Sequence, residues 1–154
     1  MAIEIERKFL VNSDEYKQLA LPVYYKQGYL CNTPNAIVRI RIANNKGYIT
    51  IKGKTCGISR TEFEYEIPTS EAHHLLSEMS LNKVVEKNRY KIKYAGNIWE
   101  VDEFLGENEG LIVAEIELKS EDATFDKPSW IGKEISTDSR YFNSNLSKNP
   151  FKNW

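Results

Sequence analysis

The sequence predicts a mainly β fold of the α+β class, built from antiparallel strands with a few short helices. Three observations support this prediction. Eight segments of strand length alternate apolar and polar residues with a period of two, which is typical of strands with one buried face. Turn signals rich in Gly and Asn separate several of these segments, at 44–47, 95–97 and 106–110. Helical periodicity is confined to short stretches outside them.

The composition is that of an ordinary single-domain protein. A chain of 154 residues without repeats or Pro/Gly/Ser-rich linkers predicts one domain over residues 1–154. The formal net charge of -1 lacks the basic excess of nucleic-acid-binding proteins. No apolar run approaches the roughly 20 residues of a membrane helix. The N-terminus shows no secretory pattern, and two cysteines are too few for a disulfide framework, so we expect a cytoplasmic protein.

The predicted strands follow one another through most of the first 119 residues. Each one carries an apolar row and a polar row at alternate positions, because successive side chains of a strand point to opposite faces. The strands are predicted at 2–10, 24–31, 36–43, 47–54, 60–67, 84–94, 97–104 and 111–119.

Three short helices are predicted outside the strands. The first follows Asn12 as its N-cap, with Glu15 three residues further on, and runs to about Leu19. The second covers residues 71–79, where the apolar side chains share one helical face. The third is expected at about 138–146. The last five residues are expected to dock loosely or to fray.

Charged side chains on the predicted strands form rows of a single sign. Like charges at neighbouring strand positions repel, so a solvated face usually mixes signs. Any one row is also explained as the wet face of a sheet, but the whole set favours ligands of opposite charge lying between the rows. The cationic rows are Arg39/Arg41, Lys52/Lys54 and Lys87/Arg89/Lys91, and the anionic rows are Glu4/Glu6, Glu62/Glu64, Glu100/Asp102 and Glu115/Glu117.

These rows are accounted for if the sheet closes into a barrel with its charged faces inward and its apolar faces outward. The cationic rows would then surround a polyanion, since Arg and Lys side chains bind phosphate oxygens. The carboxylate rows would hold hard cations such as Mg²⁺ or Mn²⁺, which typically bridge to substrate phosphates. The pattern as a whole therefore predicts a site for a metal-chelated polyphosphate.

The first strand carries Glu4-Ile-Glu6-Arg-Lys8, which resembles the Glu-x-Glu-x-Lys signature of the triphosphate tunnel metalloenzymes, also called the CYTH superfamily. The resemblance spans roughly residues 2–119, because further family elements follow in order. They are Arg39-x-Arg41, Lys52-x-Lys54, Glu62-x-Glu64, Lys87-x-Arg89, Asp102 and Glu115-x-Glu117. The resemblance implies an eight-stranded antiparallel β-barrel forming a tunnel, a triphosphate substrate and divalent-metal dependence. The short chain is most similar to the small bacterial branch that hydrolyses inorganic tripolyphosphate.

Roles for the charged residues follow as a hypothesis from this resemblance. Seven carboxylates exceed what one hydrated Mg²⁺ or Mn²⁺ ion needs, which favours two metal positions. A metal-bound water, oriented by the Glu62/Glu64 row, is expected to attack a terminal phosphorus. Lys8 is expected to stabilise the leaving phosphate, and Tyr29 either contacts substrate or fills one end of the barrel.

The predicted site comprises three sets of residues. The predicted metal ligands are Glu4, Glu6, Glu62, Glu64, Asp102, Glu115 and Glu117. The predicted substrate-binding residues are Lys8, Tyr29, Arg39, Arg41, Lys52, Lys54, Lys87 and Arg89. The predicted catalytic residues are Glu6, Lys8, Glu62 and Glu64.

The sequence leaves other functions open. The charge rows suit a class IV-type adenylate cyclase or a thiamine triphosphatase equally well, because each of these enzymes binds three phosphates and metal. A polyphosphate-binding module without turnover is a further alternative, although seven inward acids favour metal chemistry. The sequence does not determine the oligomeric state, and a homodimer is compatible with it. His73 and His74 diverge by about 100° on a helix and are interpreted as solvated side chains.

Overall fold

Residues 3–154 are described by the computed structural model, and the predicted alternation appears in it as nine strands, with two α-helices and four 3-10 turns. No helix among these residues is long and apolar enough to cross a membrane. The strands are β1 (Ile3–Val11), β2 (Val23–Asn32), β3 (Ala36–Ala43), β4 (Lys46–Gly53), β5 (Ser59–Ile67), β6 (Val85–Tyr94), β7 (Asn97–Phe104), β8 (Ile112–Glu117) and β9 (Ile131–Glu134). The helices are α1 (Thr69–Met79) and α2 (Asn143–Leu146), and the 3-10 turns lie at Glu15–Gln18, Gly106–Asn108, Ser139–Tyr141 and Phe151–Asn153.

The first eight strands close into a barrel through antiparallel pairings. Their order around the barrel is β1-β5-β4-β3-β2-β6-β7-β8, and β8 pairs with β1 again. The closing contact is short, with Ile3 opposite Thr61 and Ile5 opposite Ser59. Further along β1, Phe9 pairs with β9 on the same edge. The predicted closed eight-stranded antiparallel barrel is confirmed, with β9 as an additional strand.

The predicted strands agree with β1 to β8 to within a few residues. Residue 2, the predicted start of the first strand, lies outside the described residues. The last predicted strand extends beyond β8, which ends at Glu117. β9 has four residues, too few to show a clear alternation, and no strand is predicted there.

The helix predictions are only partly correct. The helix predicted after Asn12 is a single 3-10 turn at Glu15–Gln18, which follows Asp14 and not Asn12; the Asn12 amide donates to the Ile131 carbonyl at 3.3 Å. The second helix is confirmed and begins earlier than predicted, at Thr69. The third divides into a 3-10 turn and α2, because Phe142 between them has extended backbone with ψ of 134°.

Most of the apolar core lies outside the barrel. Trp99 is completely buried there, with its ring centroid 5.6 Å from that of Phe9, as expected for a residue opposite the charged row of β7. The segments that precede β2 and follow β8 cover this side and bury Tyr16 and Trp130. On the other side, α1 covers the outer surface of β2 to β5 and buries Leu76.

One end of the barrel interior is closed by an apolar cluster. Inward side chains near this end pack against Ile135 and Leu146 from the C-terminal part of the chain. Phe151 packs on the same cluster, and its backbone N–H donates to Asn108 Oδ1 at 2.8 Å. The C-terminal residues are therefore docked through Phe151 and do not fray. At the opposite end Lys91 has a side chain that is 60% exposed.

Candidate active site

The barrel encloses a cavity of about 470 Å³ that is lined almost entirely by polar and charged side chains. Each of the eight barrel strands contributes at least one of them, because alternate residues of a strand point inward. The predicted site residues that line the cavity are Glu4, Glu6, Lys8, Tyr29, Arg39, Arg41, Lys52, Glu62, Glu64, Lys87, Arg89, Glu115 and Glu117.

Two predicted site residues do not line this cavity. Lys54 is exposed and follows the end of β4 at Gly53, so its side chain is outside the ladder that directs Lys52 inward. Asp102 lies on the inward row of β7, but it is 0% exposed and is covered by the cations that it binds. The structure therefore does not bring these two side chains to the cavity surface.

Asp102 holds two cations of β6 from below the cavity surface. Its Oδ1 accepts from Arg89 Nε at 2.7 Å, and its Oδ2 accepts from Arg89 Nη2 at 2.9 Å and lies 2.7 Å from Lys87 Nζ. Burial favours the neutral acid, but Arg89 and Lys87 outweigh it and lower the pKa of Asp102. The pKa of Lys87 falls to about 7, because burial and the nearby Arg89 and Arg41 outweigh the attraction of Asp102.

Lys8 lies between two carboxylates on the floor of the site. Its Nζ is 3.4 Å from Glu115 Oε1 and 3.6 Å from Glu6 Oε1. Burial would lower the pKa of Lys8, but Glu115 and Glu6 raise it overall. The pKa of Glu6 rises to about 7, because it is buried and close to Glu115. The pKa of Glu115 itself is well below its usual value, since Lys8 and Arg89 outweigh its burial.

The cations of β3 and β4 face carboxylates of the two strands that close the barrel. Lys52 Nζ is 3.4 Å from Glu4 Oε1 and 3.7 Å from Glu62 Oε2. Arg39 Nη2 donates to Glu64 Oε2 at 3.3 Å. The pKa of Lys52 falls to about 7, because it is buried and close to Arg39. On this side of the barrel, the adjacent strands β1 and β5 therefore supply carboxylates, and the adjacent strands β4 and β3 supply the cations that pair with them.

Arg41 differs from the other inward cations in its partners. Among residues 3–154 it forms no ion pair with a carboxylate; its Nε donates to Gln27 Oε1 at 2.9 Å, and its guanidinium carbon lies 4.9 Å from the Tyr25 ring centroid. Burial, Arg39 and Arg89 lower the pKa of Arg41 to about 9. Positive charge therefore exceeds what the surrounding acids neutralise at this point of the cavity.

Several residues at or beside the cavity are absent from the predicted site. Gln27 shares the inward face of β2 with Tyr29, and Arg60 begins the charged row of β5, so strand parity could have identified both. Phe142 and Asn143 also line the cavity, and the Phe142 ring centroid lies 5.2 Å from Lys8 Nζ. No local pattern marks these two, because their segment reaches the barrel only through tertiary packing.

The carboxylates around the cavity are the candidate ligands for a divalent metal ion. Within the described residues, no three His, Cys, Asp or Glu side chains are close enough to hold an ion by themselves. However, Glu62 Oε2 is buried without a hydrogen-bond partner among these residues, and further carboxylates line the same cavity. Hard ions such as Mg²⁺ often bind through one or two carboxylates, waters and substrate phosphates. The residues present fit an ion bound in this way.

Comparisons with known proteins agree with the geometry of the barrel and its cavity. The CYTH domain family profile matches residues 2–149. The inorganic triphosphatase of Acetivibrio thermocellus is 56% identical over 154 residues, covering 100% of this chain and 99% of the relative. The inorganic triphosphatase of Nitrosomonas europaea is 37% identical over 149 residues, covering 94% of this chain and 96% of the relative.

Solved structures show the same fold. The crystal structure of the inorganic triphosphatase NE1496 superposes with a TM-score of 0.68 at 33% identity and covers 93% of this chain and 96% of that chain. HpAC1 from Hippeastrum, a candidate adenylyl cyclase described as having a dominant triphosphatase activity, superposes with a TM-score of 0.59 at 17% identity, covering 76% of this chain and 80% of that chain. The second likeness supports the fold alone. On the profile match and the two sequence relatives, this chain belongs to the CYTH domain family.

Proposed function

We propose that this protein is a divalent-metal-dependent triphosphatase that hydrolyses inorganic tripolyphosphate to pyrophosphate and orthophosphate inside the barrel cavity. The observation that carries the proposal is a cavity of about 470 Å³ inside the barrel that is surrounded by buried and half-buried cations, above all Arg41, which has no acidic partner among the described residues. The names of the two sequence relatives support inorganic tripolyphosphate as the substrate.

Substrate binding would use the inward cations that the strands hold in place. Arg39, Arg41 and Arg89 offer planar guanidinium groups that match phosphate oxygens, while Lys52 and Lys87 add point charges. Burial and repulsion from neighbouring cations lower the pKa values of Arg41 and Lys87, and a bound polyanion would relieve the repulsion. Binding energy therefore comes from charges that the folded protein holds close together in advance.

The carboxylates would hold one or two Mg²⁺ or Mn²⁺ ions against the phosphates. In our proposal the ligands come from Glu4, Glu6, Glu62, Glu64, Glu115 and Glu117. A bound ion would neutralise phosphate charge and lower the pKa of a coordinated water. Asp102 becomes a positioning residue for Arg89 and Lys87, because both of its oxygens are engaged by these cations. Lys54 has no part in the proposed site.

In the proposed reaction, a water oxygen forms a bond to a terminal phosphorus while the bond from that phosphorus to the bridging oxygen breaks. Pyrophosphate leaves with the bonding electrons, and Lys8, held between Glu6 and Glu115, stabilises its charge. A carboxylate of Glu62 or Glu64 orients the water and accepts its proton. Glu6, with a pKa of about 7, takes its ionised form when a cation binds beside it.

The substrate is tested by measuring phosphate release from tripolyphosphate, ATP and thiamine triphosphate with Mg²⁺ or Mn²⁺, together with a cyclic AMP assay. We expect tripolyphosphate to be hydrolysed fastest, with no turnover once the metal is chelated. Cyclic AMP as the main product from ATP would indicate a cyclase instead. Tripolyphosphate binding without turnover of any of the three compounds would indicate a binding module.

The site is tested with the variants Arg41→Ala and Glu6→Gln. We expect each to reduce kcat/KM for tripolyphosphate by at least about a hundredfold, because each removes a group that contacts phosphate or metal. Lys54→Ala is the matched control, since Lys54 belongs to a cationic sequence row but is exposed outside the cavity. Wild-type turnover in both cavity variants would contradict the proposed site.

The cytoplasmic location and the homodimer stay predictions.

A further inference from the structure

Two uncharged amides join two of the cavity cations in a partly buried chain of hydrogen bonds. Asn143 Oδ1 accepts from Lys87 Nζ at 2.9 Å and from Gln27 Nε2 at 3.2 Å. Gln27 Nε2 also donates to the Tyr29 hydroxyl at 3.1 Å, and Gln27 Oε1 accepts from Arg41 Nε at 2.9 Å. The chain therefore connects Lys87 on β6 with Arg41 on β3 through side chains that carry no charge.

The two cations determine which way both amides point. Lys and Arg side chains only donate hydrogen bonds, so each must meet a carbonyl oxygen. Asn143 therefore presents its oxygen to Lys87, and Gln27 presents its oxygen to Arg41. The NH₂ group of Gln27 is left to donate to Asn143 and Tyr29. Because Gln27 is 0% exposed, this arrangement leaves none of its polar atoms buried without a partner.

The same arrangement leaves defined donors free for a ligand. In its ammonium form Lys87 has three N–H bonds, and Asp102 and Asn143 accept two of them at 2.7 and 2.9 Å. Arg41 uses Nε for Gln27, so its two terminal nitrogens remain available toward the cavity. Since Gln27 and Asn143 are neutral, they direct the cations without cancelling their charge. A carboxylate at either position would repel a polyanion.

From this geometry we infer that Gln27 and Asn143 are positioning residues that aim Lys87 and Arg41 at a bound triphosphate without adding a negative charge beside them. The inference rests on the proposed function and deepens it. Asn143 is the first residue of α2, in the C-terminal segment that also closes the apolar end of the barrel. That segment would then contribute to phosphate binding through Lys87.

The first test compares Asn143→Ala with Asn145→Ala. Asn145 is the matched control, because it lies on the same helix and its amide donates to the Ser139 carbonyl at 2.7 Å, away from the cavity. Tripolyphosphate affinity is measured by calorimetry without metal, and KM and kcat with Mg²⁺. We expect Asn143→Ala to weaken affinity and raise KM about tenfold, with a smaller change in kcat, as for a lost hydrogen bond to a charged group. Asn145→Ala should match the unmodified protein.

A double-mutant cycle distinguishes positioning from a general structural role. If Asn143 acts through Lys87, the Asn143→Ala/Lys87→Met double variant binds tripolyphosphate no more weakly than Lys87→Met alone. Additive losses, or unmodified affinity in Asn143→Ala, would overturn the inference. A parallel cycle with Gln27→Met and Arg41→Met tests the other end of the chain. Should the buried Gln27→Met change prevent folding, seen in the ligand-free thermal midpoint, the Asn143 cycle still decides.

The role of neutrality has its own test in Asn143→Asp, which keeps the size and the acceptor but adds a negative charge. We expect weaker tripolyphosphate affinity despite an intact contact to Lys87. Affinity equal to or tighter than that of the unmodified protein would overturn this part of the inference. If the unmodified protein neither binds nor hydrolyses tripolyphosphate, the proposed function fails and the inference with it. Turnover by the unmodified protein and by Asn143→Ala alike overturns the inference alone.

Discussion

Asp102 and the cations that it binds illustrate how a single side chain can prepare a binding site without touching the ligand. The carboxylate contacts Arg89 and Lys87 at 2.7–2.9 Å and is itself inaccessible. Separating a buried ion pair leaves a charge buried without a partner, which is strongly destabilising. The cluster therefore favours one arrangement. Asp102 and Arg89 remain charged, and Lys87 is easily protonated. Both cations face the cavity. Asp102 therefore holds two cations in position before any ligand binds.

Lys87 gives a prediction about protons. Because its pKa is about 7 in the free protein, Lys87 is mostly neutral at about pH 8.5. A bound polyphosphate favours the charged form and raises the pKa, so tripolyphosphate binding should take up protons at this pH. Uptake is measured by metal-free calorimetry in two buffers of different ionisation enthalpy. We expect the unmodified protein to take up as much as about one proton more per ligand than Lys87→Met does.

Lys83→Met is the matched control for this measurement, since the Lys83 side chain is 80% exposed and lies outside the cavity. It should take up as many protons as the unmodified protein. The same uptake in Lys87→Met as in both of these proteins would contradict the assignment of the titration to Lys87.

At the scale of elements, α1 packs unusually close to the barrel where β4 begins. A Cβ atom at Gly47 would lie 2.7 Å from the Ala72 Cβ of α1 and 3.2 Å from the Ile67 carbonyl oxygen. Neither contact can be relieved by turning a flexible side chain. The absence of a side chain at Gly47 therefore lets α1 cover the apolar outer surface of β2 to β5.

We therefore expect Gly47→Ala to destabilise the protein by about 1–3 kcal/mol, because overpacking forces the helix away from the sheet. For a chain of this length, this corresponds to a fall in the thermal midpoint of roughly 2–4 °C per kcal/mol. Gly53→Ala on the same strand is the control, since its new Cβ would lie 3.6 Å from Thr61 Cβ, an ordinary contact. Equal midpoints in the two variants would show that α1 adjusts without cost.

The individual elements differ in how well local sequence predicted them. The eight barrel strands followed from period-two alternation, because the alternation of side chains along a strand is a local property. The helix expected after Asn12 failed, since Asn12 binds the carbonyl of Ile131, far along the chain. β9 had no recognisable pattern at four residues. Elements that set their own periodicity are therefore predictable from local sequence, whereas elements that depend on distant partners are not.

The whole molecule has a formal charge of only -1, but charged side chains of both signs gather around one cavity inside the barrel. Cations from β3, β4 and β6 and acids from β1, β5 and β8 meet there only because the barrel closes between β1 and β5. The free protein holds these like charges together at a cost in stability, which a bound polyanion would offset.

Tripolyphosphate should therefore stabilise the folded protein even without metal. At a ligand concentration 100 times the Kd, binding contributes about 2.7 kcal/mol, which raises the thermal midpoint by roughly 5–10 °C for a chain of this size. The shift is measured by differential scanning calorimetry with a chelator present. It should be much smaller for Arg41→Ala at the same ligand concentration. An unchanged midpoint at saturating tripolyphosphate would contradict binding inside the barrel.

Sequence alone determined the inward and outward faces of the barrel strands and the segregation of their charges, because strand parity is decided by neighbouring residues. It thereby identified most of the cavity lining, including Glu6, Lys8 and Arg41. Tertiary structure alone decided that Asp102 lies hidden beneath cations and that Asn143 lies at the cavity wall. These outcomes depend on strand register and on packing between residues distant in the chain, which no local pattern encodes.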